Sequence, residues 1–311
     1  MDHVSISRFQ NRSKVRGFSL IELMVSVAIG LLLAIAGSAT YLYSKQNYNA
    51  VSETSQMEEN GRFALNLLSR YVQSAGFVML NPQATGIQGA LINKIQGCDF
   101  GMVNGQTPAS SADIACRAAT PAGQRRSASI SVFSDTDAPN DAGALFQGFN
   151  CIGNNPVAVV QTSETGTSFT SFATRSHFFI SSANVVTPAG VTTMGQLSCM
   201  ADSSAGGATA YETQPLIPGI EQLAVNYLLP SSMSPNSAQV SSTAAAITTA
   251  ARWGEVMALE LCVMTKSIQP AANDTGTQYT DCYGTQLIST NAESFRTFRT
   301  VVNLRNRTPV L

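Results

Sequence analysis

The chain has few of the side chains from which catalytic and metal sites are built. Only two of its 311 residues are histidines, and Asp, Glu, Lys and Arg together make up 12%. It contains no Cys-x-x-Cys pair, His-Glu-x-x-His segment, Gly-x-Ser-x-Gly turn or phosphate-binding glycine loop. The sequence therefore supports neither a metal site nor the common hydrolase and nucleotide-binding classes, and we expect neither an enzyme nor a cofactor.

The balance of charge argues against a surface that binds nucleic acid. The first 17 residues carry Asp2 and four of the basic residues, and the rest of the chain has 14 basic and 18 acidic residues, a net formal charge of minus 4. Binding to phosphate backbones normally needs a clear excess of positive charge. Nucleic acid is therefore not expected as a direct partner.

Charge is also absent from one long apolar stretch, Leu23 to Leu42. About 20 such residues form a helix of about 30 Å, which is enough to cross a bilayer. Four basic residues precede the stretch, and the first basic residue after it is Lys45. By the positive-inside rule the N-terminus lies in the cytoplasm and the bulk of the chain outside it.

This stretch follows a short basic leader that ends at Gly17. An ordinary secretory signal is cut after its apolar segment, whereas a cut between Gly17 and Phe18 would keep that segment. Glu22 lies near its start, and a carboxylate in hydrocarbon costs about 2 to 3 kcal/mol unless it stays at the headgroups or finds a cation. A new amine at Phe18, from the same chain or a neighbouring copy, would be such a cation.

Residues Gly17 to Gly30, GFSLIELMVSVAIG, resemble the N-terminal signature of type IV pilins and pseudopilins. In that family a membrane aspartyl peptidase cuts after the glycine and methylates the new terminal Phe, and the freed amine neutralises the glutamate of another subunit. The resemblance implies cleavage between Gly17 and Phe18, N-methylation of Phe18, and a role in assembly for Glu22. A simple signal anchor is the alternative.

The helix is expected to continue past the membrane. An apolar stripe with a period of 3.6 residues comprises Ala64, Leu67, Leu68, Tyr71, Val72 and Ala75. Gly76 is a natural stop, so we predict one helix from about Ser19 to Ala75. The predicted organisation is a cleaved leader (1–17), a transmembrane and assembly helix (18–43), a helix continuing into the head (44–76), and an extracytoplasmic head (77–311). The stretch from 44 to 60 is either a solvated helix face or a lateral contact with neighbouring subunits.

The head reads as β-strands joined by long loops of small residues. Candidate strands are Ser129 to Phe133, Val157 to Gln161, His177 to Ser181, Ile220 to Leu229, Val256 to Met264 and Phe295 to Leu304. The residues 81–123, 202–213 and 231–250 are rich in Ser, Ala, Thr and Gly and are predicted to be loops. We therefore predict an α+β pilin fold, with one long N-terminal helix against a mainly antiparallel sheet.

Three segments of the C-terminal half resemble the PilW-type minor pilins: residues 216–227, 253–261 and 298–307. The resemblance implies a low-abundance subunit that joins other minor pilins in a complex that primes pilus assembly, with roles in twitching, adhesion or DNA uptake. The J-type minor pseudopilins of type II secretion share the leader and a similar size, and they are the alternative. A membrane-anchored binding or enzymatic head behind a pilin-like leader is a third hypothesis.

All six cysteines lie on the predicted extracytoplasmic side, where oxidation is expected. Six cysteines allow 15 pairings, which sequence alone does not settle. We favour Cys262 with Cys282, because the two flank one loop, and Cys98 with Cys116 would clamp another. Cys151 and Cys199 are the remaining candidates for a third bridge.

Two further features have both a structural and a functional interpretation. His177 lies in a strand-like run, where a hydrogen-bonded structural histidine is the favoured interpretation and a catalytic one the alternative. The C-terminal arginines, Arg296, Arg299, Arg305 and Arg307, either pair with carboxylates at a sheet edge or bind phosphates or an acidic partner. We favour the ion pairs.

The expected partners are the prepilin peptidase, other minor pilins, the major pilin and the inner membrane, with a tip adhesin as a further candidate. The expected location is the inner membrane, crossed once with the head in the periplasm, and the assembled pilus at the cell surface.

Overall fold

The computed structural model describes residues 17–77, 95–103, 115–136, 148–162, 168–187, 190–203, 210–232, 238–268, 276–289 and 293–306. Two compact units can be separated, Met1–Ser52 and Glu53–Leu311. The first unit contains the start of helix α1, Leu20–Ser74. The residues 20–51 are all exposed on the chain. By length and composition α1 is a helix able to cross a membrane.

In the second unit α1 buries one face. Its buried residues are Met57, Gly61, Ala64, Leu65, Leu68 and Val72, spaced as one stripe of an α-helix. Leu67 and Tyr71 are partly buried against the same core. The helix gives way to Gly76, whose φ of 71° suits glycine and whose N–H donates to the carbonyl oxygen of Phe133 at 2.8 Å. The predicted amphipathic helix is confirmed.

The larger sheet is antiparallel and has six strands. They are β1 (Ile95–Cys98), β2 (Ser129–Thr136), β3 (Val157–Thr162), β4 (Ser168–Thr187), β5 (Gly190–Ser203) and β6 (Ala210–Pro218). The order is β1-β2-β4-β5-β6, and β3 also pairs with β4. Beyond Phe178 of β4 and Gln196 of β5 the two strands pair only with each other, which makes a projecting hairpin.

The smaller sheet has four antiparallel strands in the order β12-β9-β7-β8. They are β7 (Ile220–Pro230), β8 (Gln239–Ser242), β9 (Ala258–Lys266) and β12 (Phe295–Asn303). Helix α2 (Ala244–Thr249) and a 3-10 turn (Trp253–Glu255) lie between β8 and β9, and the hairpin β10 (Gln278–Thr280) and β11 (Gln286–Ile288) lies between β9 and β12.

One hydrophobic core joins these elements. Leu68 and Val72 of α1, Phe178 and Leu197 of the larger sheet, and Leu261 of the smaller sheet are all buried in it. The ring centroids of Tyr71 and Phe178 are 4.9 Å apart. Burying each such side chain contributes about 1.5 to 3 kcal/mol. The predicted α+β architecture, a long helix with a mainly antiparallel β-sheet head, is confirmed.

All six predicted strands are present, but three predicted loops contain regular structure. The stretch 231–250 holds β8 and the whole of α2, and β6 begins inside 202–213. Strand β1 lies inside 81–123, of which 81–94 and 104–114 lie outside the described residues. Strand β5 carries glycines at 190 and 195 and few apolar side chains, so its sequence lacked the alternation that marks a half-buried strand.

Candidate assembly segment and braced head

The predicted assembly residue Glu22 lies in the first turn of α1. Ser19 precedes the helix, and its side-chain oxygen accepts a hydrogen bond from the Glu22 N–H at 3.2 Å. Ser-x-x-Glu is the capping-box pattern, in which the serine satisfies a free helix donor. An acid in the first turn is also stabilised by the helix dipole, by about 0.3 to 1 kcal/mol. The Ser19–Glu22 spacing is a local sequence signal for this helix start.

Within the part of the chain that the structure describes, the Glu22 carboxylate has no ion-pair partner. Phe18 is 79% exposed, and Gly17 and Glu22 are exposed as well. The structure therefore places the three residues together at the start of α1, with the acid open to a cation. The predicted leader, apart from Gly17, lies outside the described residues.

The polar side chains of the apolar stretch are satisfied within the helix. The hydroxyl of Ser26 donates to the Glu22 carbonyl at 2.6 Å, Ser38 to Ala34 at 2.8 Å, and Thr40 to Ala36 at 2.9 Å. Such bonds to the carbonyl one turn back satisfy the donors of these three hydroxyl groups without water. These three residues therefore do not oppose a membrane location.

The same stretch exposes large apolar side chains around the whole helix. Within it the exposed fractions of these side chains run from 52% at Val25 to 68% at Leu32 and Leu33. A continuous apolar surface of this size is normally covered by lipid or by other protein. The N-terminal apolar helix thus supports a membrane-anchored protein.

Three disulfides brace the second unit. They join Cys98 to Cys116, Cys151 to Cys199, and Cys262 to Cys282, with Cα atoms 5.2, 6.2 and 5.7 Å apart. These are the pairs named from the sequence. The first holds β1 to the segment that follows it, the second holds a turn to β5, and the third holds β9 to the β10–β11 hairpin. Each fixes a segment that has little core of its own.

Asp99, next to the first disulfide, holds the start of α2. Its two carboxylate oxygens accept hydrogen bonds from the N–H groups of Ala244 at 3.0 Å and Ala245 at 2.9 Å. Thr243 supplies a further, local cap to the N–H of Ala246 at 3.4 Å. An acid distant in sequence therefore completes the cap of a six-residue helix. No local sequence signal reveals this contact.

Two of the C-terminal arginines form ion pairs along β12, an edge strand. Arg296 lies 2.6 Å from Glu58 of α1, and Arg299 lies 3.3 Å from Glu260 of β9. Arg299 also donates to the Cys282 carbonyl at 2.9 Å. Pairing with carboxylates is the interpretation that the sequence analysis favoured for these arginines. Arg307 lies outside the described residues.

His177 is buried, but the prediction that it is hydrogen-bonded is wrong. It is 1% exposed, and neither ring nitrogen has a hydrogen-bond partner among the residues that the structure describes. Burial, and then the nearby charge of Arg175, lower the pKa of His177 to about 3. The imidazole is therefore neutral near pH 7.

Among the described residues no group of three or more His, Cys, Asp or Glu side chains is placed to hold a metal ion.

Two family models match the chain. The prokaryotic N-terminal methylation motif matches residues 12–38, and the type IV pilus-assembly protein W model matches residues 177–306. No curated protein and no solved structure matches it. The matched models indicate a structural protein.

Proposed function

Because this chain is a type IV minor pilin of the PilW type, we propose that it is a membrane-anchored structural subunit that helps to initiate pilus assembly. One observation carries the proposal: the same chain has an exposed Phe18 and Glu22 at the start of a long apolar helix and, at its other end, the PilW-matched head region. A priming subunit needs both parts, a helix that leaves lipid for a bundle and a head that offers contacts to sister subunits.

The first proposed step is processing. The prepilin peptidase cuts between Gly17 and Phe18 and methylates the new amine of Phe18. The exposure of both residues ahead of α1 supports access by a peptidase. Cleavage removes the basic leader and leaves an ammonium group about one helical turn from Glu22.

The second step is assembly. The ammonium group of Phe18 on one subunit pairs with the Glu22 carboxylate of another as the apolar helices bundle. Since the carboxylate has no ion-pair partner within the described chain, the contact replaces water or headgroups rather than an existing salt bridge. A carboxylate left unpaired in an apolar bundle would cost about 2 to 3 kcal/mol.

The proposed topology places the leader in the cytoplasm and the head in the periplasm, and later at the surface on the assembled pilus. Three disulfides in the second unit support an oxidising location for it. The proposed partners are the peptidase, the other minor pilins and the major pilin, with a tip adhesin as a further candidate. In this role the protein is not an enzyme and needs no cofactor.

Glu22→Ala tests the assembly step. We expect at least a tenfold loss of co-isolation with sister pilins at unchanged membrane level, because the Phe18 ammonium of the neighbouring subunit would be left unpaired in the apolar bundle, at a cost of about 2 kcal/mol. Glu212→Gln is the control, since Glu212 is an exposed acid on strand β6 rather than on α1. Ser19→Ala removes the helix cap and keeps the charge, so it separates helix stability from pairing. Full co-assembly of Glu22→Ala would refute the proposal.

A deletion strain separates the pilus from the secretion alternative. Loss of surface pili and twitching with normal protein secretion is the expected result. Loss of secreted enzymes with intact pili would instead assign the chain to a type II secretion pseudopilus. N-terminal sequencing of the membrane-extracted protein tests processing, and a start at methylated Phe18 is expected.

A further inference from the structure

The second unit contains a cavity of about 290 Å³ at the base of the β4–β5 hairpin. Its lining includes Phe179 of β4, Met194 of β5, Met102 from the disulfide-held segment after β1, and Arg125 from the segment before β2. The cavity is thus built from the larger sheet and from the chain segment that the Cys98–Cys116 bridge holds. It lies near the lower end of the size range of ligand pockets.

One wall of the cavity is apolar and well packed. Met194 is 1% exposed and Met102 is 9% exposed. Phe179 is half-buried and lies on the same face of the sheet as Met194, since Met194 pairs with Ala183, four residues after Phe179 on β4. Such a wall favours a ligand with an apolar group about the size of one side chain.

Arg125 supplies an anchored cation to the same cavity. Its guanidinium carbon lies 5.0 Å from the ring centroid of Phe295 and 5.6 Å from that of Tyr279. Those two rings are stacked with their centroids 4.3 Å apart. Among the described residues Arg125 forms no ion pair, so the aromatic stack rather than a carboxylate holds it. Its planar set of N–H donors suits a carboxylate.

The acid in the lining does not cancel this charge. One carboxylate oxygen of Glu221 accepts a hydrogen bond from the Gly195 N–H at 2.8 Å and lies 4.0 Å from the Lys266 ammonium. Lys266 lies 2.8 Å from Glu293 as well. Glu221 is therefore already engaged within the protein, and Arg117 adds a second positive side chain to the lining.

We propose that this cavity binds a peptide segment in which a carboxylate adjoins one apolar side chain. The carboxylate pairs with Arg125, and the apolar side chain lies against Met102, Phe179 and Met194. The inference goes beyond the proposed function and does not rest on it, because the cavity chemistry is independent of how α1 assembles.

The test uses the full chain in a non-ionic detergent, with ¹³C-methyl methionine as the label. The probes are N-acetyl-L-leucine, which carries the carboxylate, and N-acetyl-L-leucinamide, which lacks it. We expect the acid to shift the Met102 and Met194 methyl signals and to bind about tenfold more tightly than the amide, because a charge-assisted hydrogen bond is lost in the amide. Acetyl-Ala-Ala-Leu should bind more tightly than the single residue.

Arg125→Gln should remove the preference for N-acetyl-L-leucine over the amide. The methyl spectrum of the ligand-free variant should remain that of a folded protein. Arg126→Gln is the matched control. The Arg126 guanidinium lies over the rings of Phe100 and Tyr283 at 4.7 and 4.1 Å, and Arg126 does not line the cavity. Arg126→Gln should keep the tenfold preference.

Equal binding of acid and amide would overturn the inference, as would the absence of shifts at both methionines. An equal loss in the two arginine variants would show that Arg125 has no special role. A tripeptide that binds no better than N-acetyl-L-leucine would overturn the peptide assignment. None of these outcomes bears on Glu22 or on pilus formation, which are measured separately.

Discussion

Gly97 in β1 lies against a buried tyrosine, and Gly97→Ala should damage the head. A Cβ at this position would overlap the hydroxyl oxygen of Tyr227 and would lie 2.9 Å from the Ser129 carbonyl oxygen. Tyr227 is 1% exposed, and its ring meets the Trp253 ring edge-on with centroids 5.0 Å apart. The tyrosine is thus enclosed in the core and has little room to move away.

The expected cost follows from this overlap. Adding a methyl group to a closely packed core typically costs about 1 to 3 kcal/mol. We expect about 3 kcal/mol here, because both nearby groups belong to the packed sheets. For a domain of this size 1 kcal/mol corresponds to about 2 to 4 °C, so the melting temperature should fall by about 6 to 12 °C.

Tyr227→Phe should relieve part of this damage. The Tyr227 hydroxyl is buried and has no hydrogen-bond partner in the described part of the chain, so its removal should stabilise the protein by about 1 kcal/mol. The double variant Gly97→Ala/Tyr227→Phe should recover about half of the loss. It should not recover all of it, since the ring carbon that bears the hydroxyl would still lie 3.0 Å from the new Cβ.

Trp253 is the single tryptophan of the chain and lies against Tyr227, so its fluorescence reports unfolding of this region. The assay is a thermal scan at a fixed rate on the full chain in detergent. Gly254→Ala is the control, because nothing lies within 4 Å of a Cβ there. The packing argument is wrong if Gly97→Ala has the same melting temperature as Gly254→Ala, or if adding Tyr227→Phe to Gly97→Ala does not raise its melting temperature.

Two further predictions concern the head. Replacing Cys151 and Cys199 by alanine should lower the unfolding free energy by about 0.9 kcal/mol more than replacing Cys98 and Cys116, because the Cys151–Cys199 bridge closes 48 residues and the Cys98–Cys116 bridge closes 18. Urea denaturation of both double variants measures the difference, and the reverse order would contradict the argument from loop length. His177 has a folded pKa of about 3 against an ordinary 6.5, so stability should be complete above pH 6.5 and fall towards pH 3. The loss should be about 2 kcal/mol by pH 5, and His177→Phe should remove this part of the pH dependence, whereas an unchanged pH profile would show that the histidine takes up its proton in the folded state.

The sequence predicted the elements whose signal is local. The predicted helix, from about Ser19 to Ala75, matches the observed Leu20–Ser74 closely, because the apolar stripe and the glycine that ends it are both visible in the local sequence. The capping pattern at Ser19 and Glu22 was equally readable and was missed. The six strands rich in β-branched and aromatic residues were found for the same reason.

The remaining elements depend on contacts with distant residues. Helix α2 is only six residues long and is capped by Asp99, 145 residues earlier in the chain. Strand β5 contains Gly195, where a Cβ would lie 2.8 Å from the Glu221 Cα, so the packing there explains the glycine. The proposed carboxylate-binding cavity is lined both by β4, which the sequence predicted, and by β5, which it did not. No periodicity or spacing in one segment contains this information.

The contacts between α1 and β12 have a mechanical consequence. Glu58 pairs with Arg296, and a Cβ at Gly61 would overlap the ring of Phe298, so an ion pair and a close packing contact hold the helix to this strand. Strand β12 is in turn bonded along its length to β9, which is tied covalently through Cys262 to Cys282. A pull on the helix would therefore reach β12 through these two contacts, and the hydrogen bonds between β12 and β9 would pass the tension to a strand that a covalent bond secures.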